Sequence, residues 1–403
     1  MAFDLGVNLA DPDTFAAGFP HEVFRRLRRE APVHWHERGH ERGGQGFYVV
    51  SKYEDVRYVG RTPQIYSSVP GITIVDNQTD FEAGQSSMLQ MDPPRHARYR
   101  KLVSGGFTPR RINALEPMIR ELANEILNEA EQKGGDVDYV TDIAAELPLR
   151  VIARFLGVPN EERTTLFSAS NRLLGFEDKE YGTTEEDARN AAMELAMMAY
   201  RIAEDRKAAP RDDIVTILQN AEVDGERLSE VDFIAFFVLL TIAGNETTRN
   251  QTSHTLRLLL EHPKELAKLL DCPTLLNSAI EEALRFSPPV MYFRRTTKSP
   301  STIRGVDIPE GAYVAVYYPS ANRDEDVFPD ADTFDITRNP NEHLAFGDGE
   351  HFCLGASLAR FQLRSMIGET LRRFPKIRRT GDISLLRSHF IDGVKHMPVR
   401  LSA

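Results

Sequence analysis

Cysteine is scarce in this chain. Two residues of 403, Cys272 and Cys353, are too few for a disulfide framework and suit a reducing cytoplasm. No CxxC occurs, and the HExxH match His36-Glu37-Arg38-Gly39-His40 starts in a strand-like segment and not on a helix, so a zinc site of the common kind is not expected. The Gly347-x-Gly349 pair lacks the third glycine and the following acid of a dinucleotide fingerprint. Long apolar runs are missing too. The longest, Phe233 to Gly244, is too short to span a bilayer, so no membrane anchor is expected. Met1 to Ala10 has neither a basic segment nor a sustained apolar one, which argues against a signal peptide and for a cytoplasmic protein. Positive charge is in deficit, 49 Lys and Arg against 60 Asp and Glu. The net charge of −11 speaks against general nucleic-acid affinity. No internal repeat or low-complexity linker is present, and one domain over 1–403 is the simplest organisation.

What is present is the composition of an ordinary globular protein, 41% hydrophobic and 27% charged, long enough for a large core. The basic residues cluster. Six lie between Arg95 and Arg111 with no acid among them, and seven lie between Arg360 and Arg379 with one Glu. The rest of the chain carries −23, so the two islands are either solvated helix faces or a docking face for an acidic partner.

Helix-like patterns occupy 20–30 and 53–61, with strand-like segments at Val33–His36 and Gly46–Ser51. Residues 69–90 have no clear period, as expected of a functional or mobile loop. From Pro93 the pattern is helical over 93–104, 110–133, 142–157, 160–174, 182–207, 211–221 and 229–262, and again over 273–286. Short strands are expected at 290–298, 302–304 and 312–318, followed by an irregular stretch from Pro319 to Leu344. The fold class is mainly α with small β-sheets.

Four places carry chemistry. The run Phe346-Gly347-Asp348-Gly349-Glu350-His351-Phe352-Cys353-Leu354-Gly355 puts a thiol in a glycine-punctuated loop just before a helical pattern. Helix N-termini favour a thiolate, which can serve as nucleophile or metal ligand. In the 229–262 helix, capped by Ser229 and stopped by Pro263, lies Ala243-Gly244-Asn245-Glu246-Thr247-Thr248. Two small residues there leave room beside the helix, next to an acid and an alcohol, an arrangement fit for proton relay. A Thr hydroxyl bonded to the carbonyl four residues earlier would bend the helix and open a groove. Glu282 and Arg285 share a helix face, and so do His96 and Arg100. In isolation either pair would be plain surface charge.

Together these motifs, in this order and spacing, resemble the cytochrome P-450 superfamily of haem-thiolate monooxygenases over essentially the whole chain. The resemblance implies the P-450 fold, a triangular prism with haem between a long central helix and the helix following the cysteine loop. It makes Cys353 the axial ligand of haem b (iron protoporphyrin IX), with Phe346, Gly347 and Gly355 shaping the loop. His96, Arg100, Arg295 and His351 stand at positions similar to the propionate contacts, and Ala243 and Gly244 at the helix wall. Glu246 and Thr247 fall in the oxygen-activation motif, where Thr247 would hold a hydrogen-bond network around O2 and Glu246 would link it to solvent protons. Glu282, Arg285 and Arg338 resemble the buried structural network of the family. The implied reaction inserts one oxygen atom of O2 into a C–H or C=C bond, with NAD(P)H-derived electrons arriving through a ferredoxin and ferredoxin reductase. Arg98, Lys101, Arg110, Arg360 and Arg364 become docking candidates, and a monomer is expected.

The motifs are also similar to those of bacterial hydroxylases of sterol side chains, methyl-branched lipids and terpenoids, so a hydrophobic small molecule is the expected substrate. Candidate lining residues are Ile72, Leu89, Phe236, Leu240, Val290, Met291, Phe390 and Ile391. Two rival classes are weighed. A haem-binding sensor or carrier would need no proton relay and no redox partner. A cysteine-nucleophile transferase would pair Cys353 with His351, two positions apart, with poor mutual geometry.

Overall fold

The structure, a computed structural model, describes residues 5–37, 39, 45–75, 87–174, 178, 180, 184–211, 213–223 and 225–401. The chain packs as two compact units. One is drawn from 1–97, 281–353 and 385–393, and the other from 98–280, 354–384 and 394–403.

The first unit is built on a five-stranded sheet. Its strands are β1 (Val33–His36), β2 (Phe47–Val50), β3 (Tyr66–Ser67), β4 (Tyr292–Thr297) and β5 (Tyr313–Tyr317), in the order β1-β2-β5-β4-β3. β5 runs parallel to β2 and antiparallel to β4. β4 and β5 are buried almost throughout, because side chains of both parities meet apolar neighbours. Val314 and Val316 join Tyr53, Val56 and Val59 of helix α2 (Tyr53–Arg61). Ala315 and Tyr317 join Phe24 and Leu27 of helix α1 (His21–Glu30). The two-residue period of the strand thus sends alternate residues to helices on opposite faces. A small hairpin, Ser301–Ile303 with Val306–Ile308, connects β4 to β5.

The second unit is helical. Its segments in chain order are α3 (Arg95–Ser104), α4 (Pro109–Ala114), α5 (Glu116–Lys133), α6 (Glu146–Phe155), α7 (Arg163–Leu174), α8 (Glu185–Ala208), α9 (Ile214–Asn220), α10 (Glu230–Glu261), α11 (Pro263–Asp271), α12 (Leu276–Phe286) and α13 (Ala356–Arg373). The first residues of α3 and the last of α12 belong to the first unit. α10 is the long helix. Ser229 Oγ accepts from Asp232 N–H at 3.1 Å to cap it, and its 32 residues extend about 48 Å at the helical rise. It is long and apolar enough to cross a membrane by length and composition. Its buried residues, however, include Asn245, Glu246, Arg249, Asn250, Gln251 and His254, and it packs against α6, α7, α8 and α13, the environment of a core helix.

Several boundaries differ from the periodicity, and proline accounts for most of them. The helix expected over 110–133 divides at Leu115, because Pro117 has no N–H to donate and belongs in a first turn. The one expected over 142–157 begins as a π-turn, Val140–Ala144, and restarts as α6 with Pro148 in its first turn. Pro263, read as a stop, is also the first residue of α11, which the periodicity does not anticipate. Within 69–90, residues 76–86 lie outside the described residues, as do 182 and 183 of the helix expected over 182–207. The irregular stretch from Pro319 begins with one helical turn, Tyr318–Ala321.

Candidate functional site

The residues singled out by the sequence fall in both units. His96, Arg295, Phe346, Gly347, His351 and Cys353 belong to the first, and Arg100, Ala243, Gly244, Glu246, Thr247 and Gly355 to the second.

The cysteine loop is shaped by its glycines. Gly347 and Gly349 take φ of 73° and 76°, a region open to glycine at little cost. Asp348 caps the 3-10 turn Gly349–His351 by accepting the Gly349 N–H at 2.8 Å. Phe352 N–H then donates to Gly349 O, and Cys353 N–H to Phe346 O at 2.9 Å, which closes the loop on itself. The Cys353 thiol is exposed and in no disulfide. The ring of Phe346 lies 6.3 Å from that of Phe352. Gly355 is the N-cap residue of α13, with no side chain capping the helix.

Three of the residues expected to meet propionates lie in the first unit. The rings of His96 and His351 lie with centroids 4.1 Å apart and planes tilted by 32°, and Ser68 Oγ lies 3.3 Å from His351 Nε2. Arg295 is buried and donates to the carbonyl of Arg294 at 2.8 Å. It has no ion pair among the described residues. Burial pushes its guanidinium down from its ordinary value, and only Tyr318 and Asp92 push it back. A desolvated cation without its own anion is costly, and haem propionates would supply that anion. The exposed thiol, the turned loop and this unmatched charge fit a haem. Among the described residues no group of three or more His, Cys, Asp or Glu is placed to hold a metal ion without one.

Glu282 and Arg285 are completely buried and paired in bidentate fashion, both bonds 2.8 Å. Arg285 donates further to the carbonyls of Asn322, Ala331 and Thr333. Glu282 also accepts from Asp335 N–H at 2.9 Å, Asn341 Nδ2 at 3.1 Å and Arg338 Nε at 3.2 Å. Every oxygen and guanidinium arm is therefore matched, as a buried pair requires. Asn341 carries no sequence signal for this role.

On α10 the Thr247 hydroxyl donates to the Ala243 carbonyl at 2.6 Å, the back-bond expected of it. Two neighbours are already engaged. Glu246 is buried and has the partners a buried carboxylate needs: it accepts from Arg249 and, at 2.8 Å, from Asn250 Nδ2. Arg249 also donates to Asn171 Oδ1 of α7 at 3.1 Å, and Asn250 Oδ1 accepts from Val394 N–H at 3.2 Å. The i+3 and i+4 spacing of Arg249 and Asn250 was the available signal for this engagement. The open side of Gly244 faces Ile152 of α6, whose Cδ1 would be 3.2 Å from an added Cβ, so helix packing uses the space its missing side chain leaves.

Five of the eight candidate lining residues gather at the start of β4. Val290 bridges Ile391, Met291 N–H donates to Phe390 O at 2.9 Å, and Arg294 N–H donates to Ile72 O at 2.8 Å. Tyr292, which the sequence did not mark, ties these segments: its hydroxyl accepts from Ile74 N–H at 3.2 Å and meets His389 Nδ1 at 2.9 Å. Met291 is buried in the core beside Phe47, whereas Ile72, Val290 and Phe390 are half-buried. Leu89 is half-buried in the turn Met88–Gln90. In the second unit Leu240 is half-buried, and Phe236 is buried edge-on to Tyr99, a core position.

Comparison with known proteins finds a family model described as Cytochrome P450 matching residues 273–382. A steroid C26-monooxygenase of Rhodococcus jostii is 40% identical, over 98% of this chain and 84% of its own. A methyl-branched lipid omega-hydroxylase of Mycobacterium tuberculosis is 39% identical, over 94% of this chain and 90% of its own. Among solved structures, a Mycobacterium marinum cytochrome P450 in complex with pseudoionone superposes with a TM-score of 0.90 at 38% identity, covering 96% of each chain.

Proposed function

The chain belongs to the cytochrome P450 family, and we propose that it hydroxylates the end of a branched alkyl chain on a steroid, terpenoid or lipid. The family's monooxygenase chemistry, haem cofactor and use of O2 come with that membership. The finer substrate reading rests on one observation. Two relatives of nearly equal identity are named for oxidation at C26 of a steroid and at the omega position of a methyl-branched lipid. Both positions are termini of branched alkyl chains, which a narrow apolar pocket can present end-on.

Haem bound through a cysteine thiolate would supply the O–O cleavage that makes oxygen insertion possible. Cys353 would be that thiolate, with Arg295, His96, His351 and Arg100 as propionate contacts. Thr247 spends its proton on the Ala243 carbonyl, so its oxygen is left to accept a hydrogen bond beside the helix. Glu246 joins proton delivery when its side chain exchanges Arg249 for water. Ile72, Val290 and Phe390 would meet substrate, held by their bonds to β4 and the 388–391 turn. Electrons would come from NAD(P)H through a ferredoxin and its reductase, received at Lys101, Arg110, Arg360 and Arg364. Arg98, also among the docking candidates, is engaged by Glu226. Two cysteines outside any disulfide suit a cytoplasmic setting.

The direct test is a binding panel: a steroid with its full side chain, a methyl-branched fatty acid and pseudoionone, scored by the low-spin to high-spin shift and then by products. A shift with at least one probe, and a terminal alcohol formed only with NADPH, ferredoxin and reductase, is expected. Binding without turnover would favour a haem carrier, and oxidation confined to ring or internal carbons would remove the terminal reading. Thr247→Ala should retain haem and substrate binding but send most reducing equivalents to peroxide, measured as peroxide formed per NADPH consumed. Coupling as tight as in the parent would remove Thr247 from the relay.

A further inference from the structure

We propose that Arg57 and Arg61, at the end of α2, are positioning residues for the cysteine loop, acting through Asp348. This rests on Cys353 being the haem ligand. Asp348 Oδ2 accepts from Arg57 Nε at 2.8 Å and ion-pairs with Arg61 Nε at 2.8 Å, and its Oδ1 accepts from Arg61 Nη2 at 3.0 Å. The same carboxylate caps the turn that leads to Cys353. Burial by itself would push the Asp348 carboxyl up, but the hydrogen bonds of Arg61, Arg57 and the Gly349 N–H outweigh it and hold the group below the ordinary carboxylate range.

The backbones of the two segments are in direct contact beneath this clamp. A Cβ on Gly349 would lie 2.3 Å from Gly60 O, and one on Gly60 would lie 3.0 Å from Asp348 O. No side chain fits between them, so α2 sets the position of residues 348–349 as backbone against backbone. Arg57 is itself oriented, with Glu54 at 3.3 Å and its guanidinium 5.5 Å from the Tyr53 ring. Asp348 is mostly shielded, 18% exposed at its side chain, unlike the usual surface ion pair. From Asp348 the path to the sulfur is short: one 3-10 turn, Phe352, then Cys353, whose N–H is fixed on Phe346 O. Release of Asp348 would loosen the loop that aims the thiolate and weaken its hold on the iron. Nothing in the P450 assignment itself requires a carboxylate at 348 or arginines at 57 and 61.

The test uses purified holoprotein of the parent, Arg57→Ala/Arg61→Ala, Asp348→Ala, Asp348→Asn and Arg57→Lys/Arg61→Lys. The quantities read, at equal haem content, are the ratio of red-shifted to unshifted Soret band in the reduced carbon monoxide complex and the haem midpoint potential. The double alanine variant and Asp348→Ala should lower that ratio about fivefold and displace the potential. Asp348→Asn should fall between, because it keeps an acceptor for Gly349 N–H without the charge. The lysine pair should recover part of the loss, because it keeps both cations but not the forked contact of Arg61. A ratio and potential equal to the parent's in every variant that holds haem would overturn the proposal. Should the alanine variants fail to hold haem, Asp348→Asn and the lysine pair decide it alone. A parent protein with no red-shifted band refutes instead the haem-thiolate reading on which the proposal stands.

Discussion

Cys353→Ser should abolish the red-shifted Soret band of the reduced carbon monoxide complex and reduce oxygenase turnover to background. No other single change should act so completely. A thiol loses its proton readily in an electropositive site and then donates strongly to iron, while a serine hydroxyl does neither near neutral pH. The loop should survive the substitution. Its form comes from the positive φ values at Gly347 and Gly349, the Asp348 cap and the Cys353 N–H bond to Phe346 O, none of which uses sulfur. The serine variant is therefore expected to fold and to bind haem weakly, with the band shifted to that of a neutral or oxygen ligand. Retention of the parent spectrum would refute the assignment of the site. Cys272, the other cysteine, is exposed with its sulfur 3.0 Å from Thr274 Oγ1, and Cys272→Ser is the matched control that should change neither readout.

Arg285→Ala has the second largest expected effect, and it acts on folding. The change leaves the carboxylate of Glu282 in a fully buried place without its bidentate partner, and takes the Arg285 donor from the carbonyls of Asn322 and Ala331, while Thr333 O keeps Arg338 Nη2 at 3.1 Å. Breaking a buried pair from one side costs about 3–5 kcal/mol, a large part of the ~5–15 kcal/mol that holds a typical domain. Most of the protein should appear without haem or insoluble, and what remains should melt well below the parent, as read by haem content per chain and thermal unfolding. Arg285→Lys keeps the charge but loses the planar fork, so it should fall between. An alanine variant with the parent's haem content and melting temperature would show that Arg338 and Asn341, which already bond Glu282, suffice by themselves.

Much of the fold was legible because helix and strand periods are local properties. The Ser229 cap, the length of α10, the two helices around β1 and β2 and the strands β4 and β5 follow from patterning that a window of ten or so residues contains. The errors also have a local cause. Proline both ends one helix and begins another, and at Pro117, Pro148 and Pro263 the second role prevailed. The sheet that pairs Arg378–Arg379 with Pro398–Arg400 and with Asp136–Asp138 was not readable, since strands of two or three residues drawn from across the chain carry no period of their own.

At the site the division is similar. The sequence by itself determined which atoms can do chemistry: one thiol in a glycine-rich loop, an acid and an alcohol on the long helix, and a Glu-x-x-Arg pair, each recognisable because a motif is a matter of residue type and spacing. Only the tertiary structure decided what those groups face. It turned Glu246 inward onto Arg249 and Asn250, set Ile152 against Gly244, left the buried charge of Arg295 without an ion pair among the described residues, and put Asp348 in the grip of Arg57 and Arg61, nearly three hundred positions away along the chain. Charge pairing and desolvation depend on distances in space, and those distances are set by the packing of whole helices against strands and not by any stretch of sequence alone.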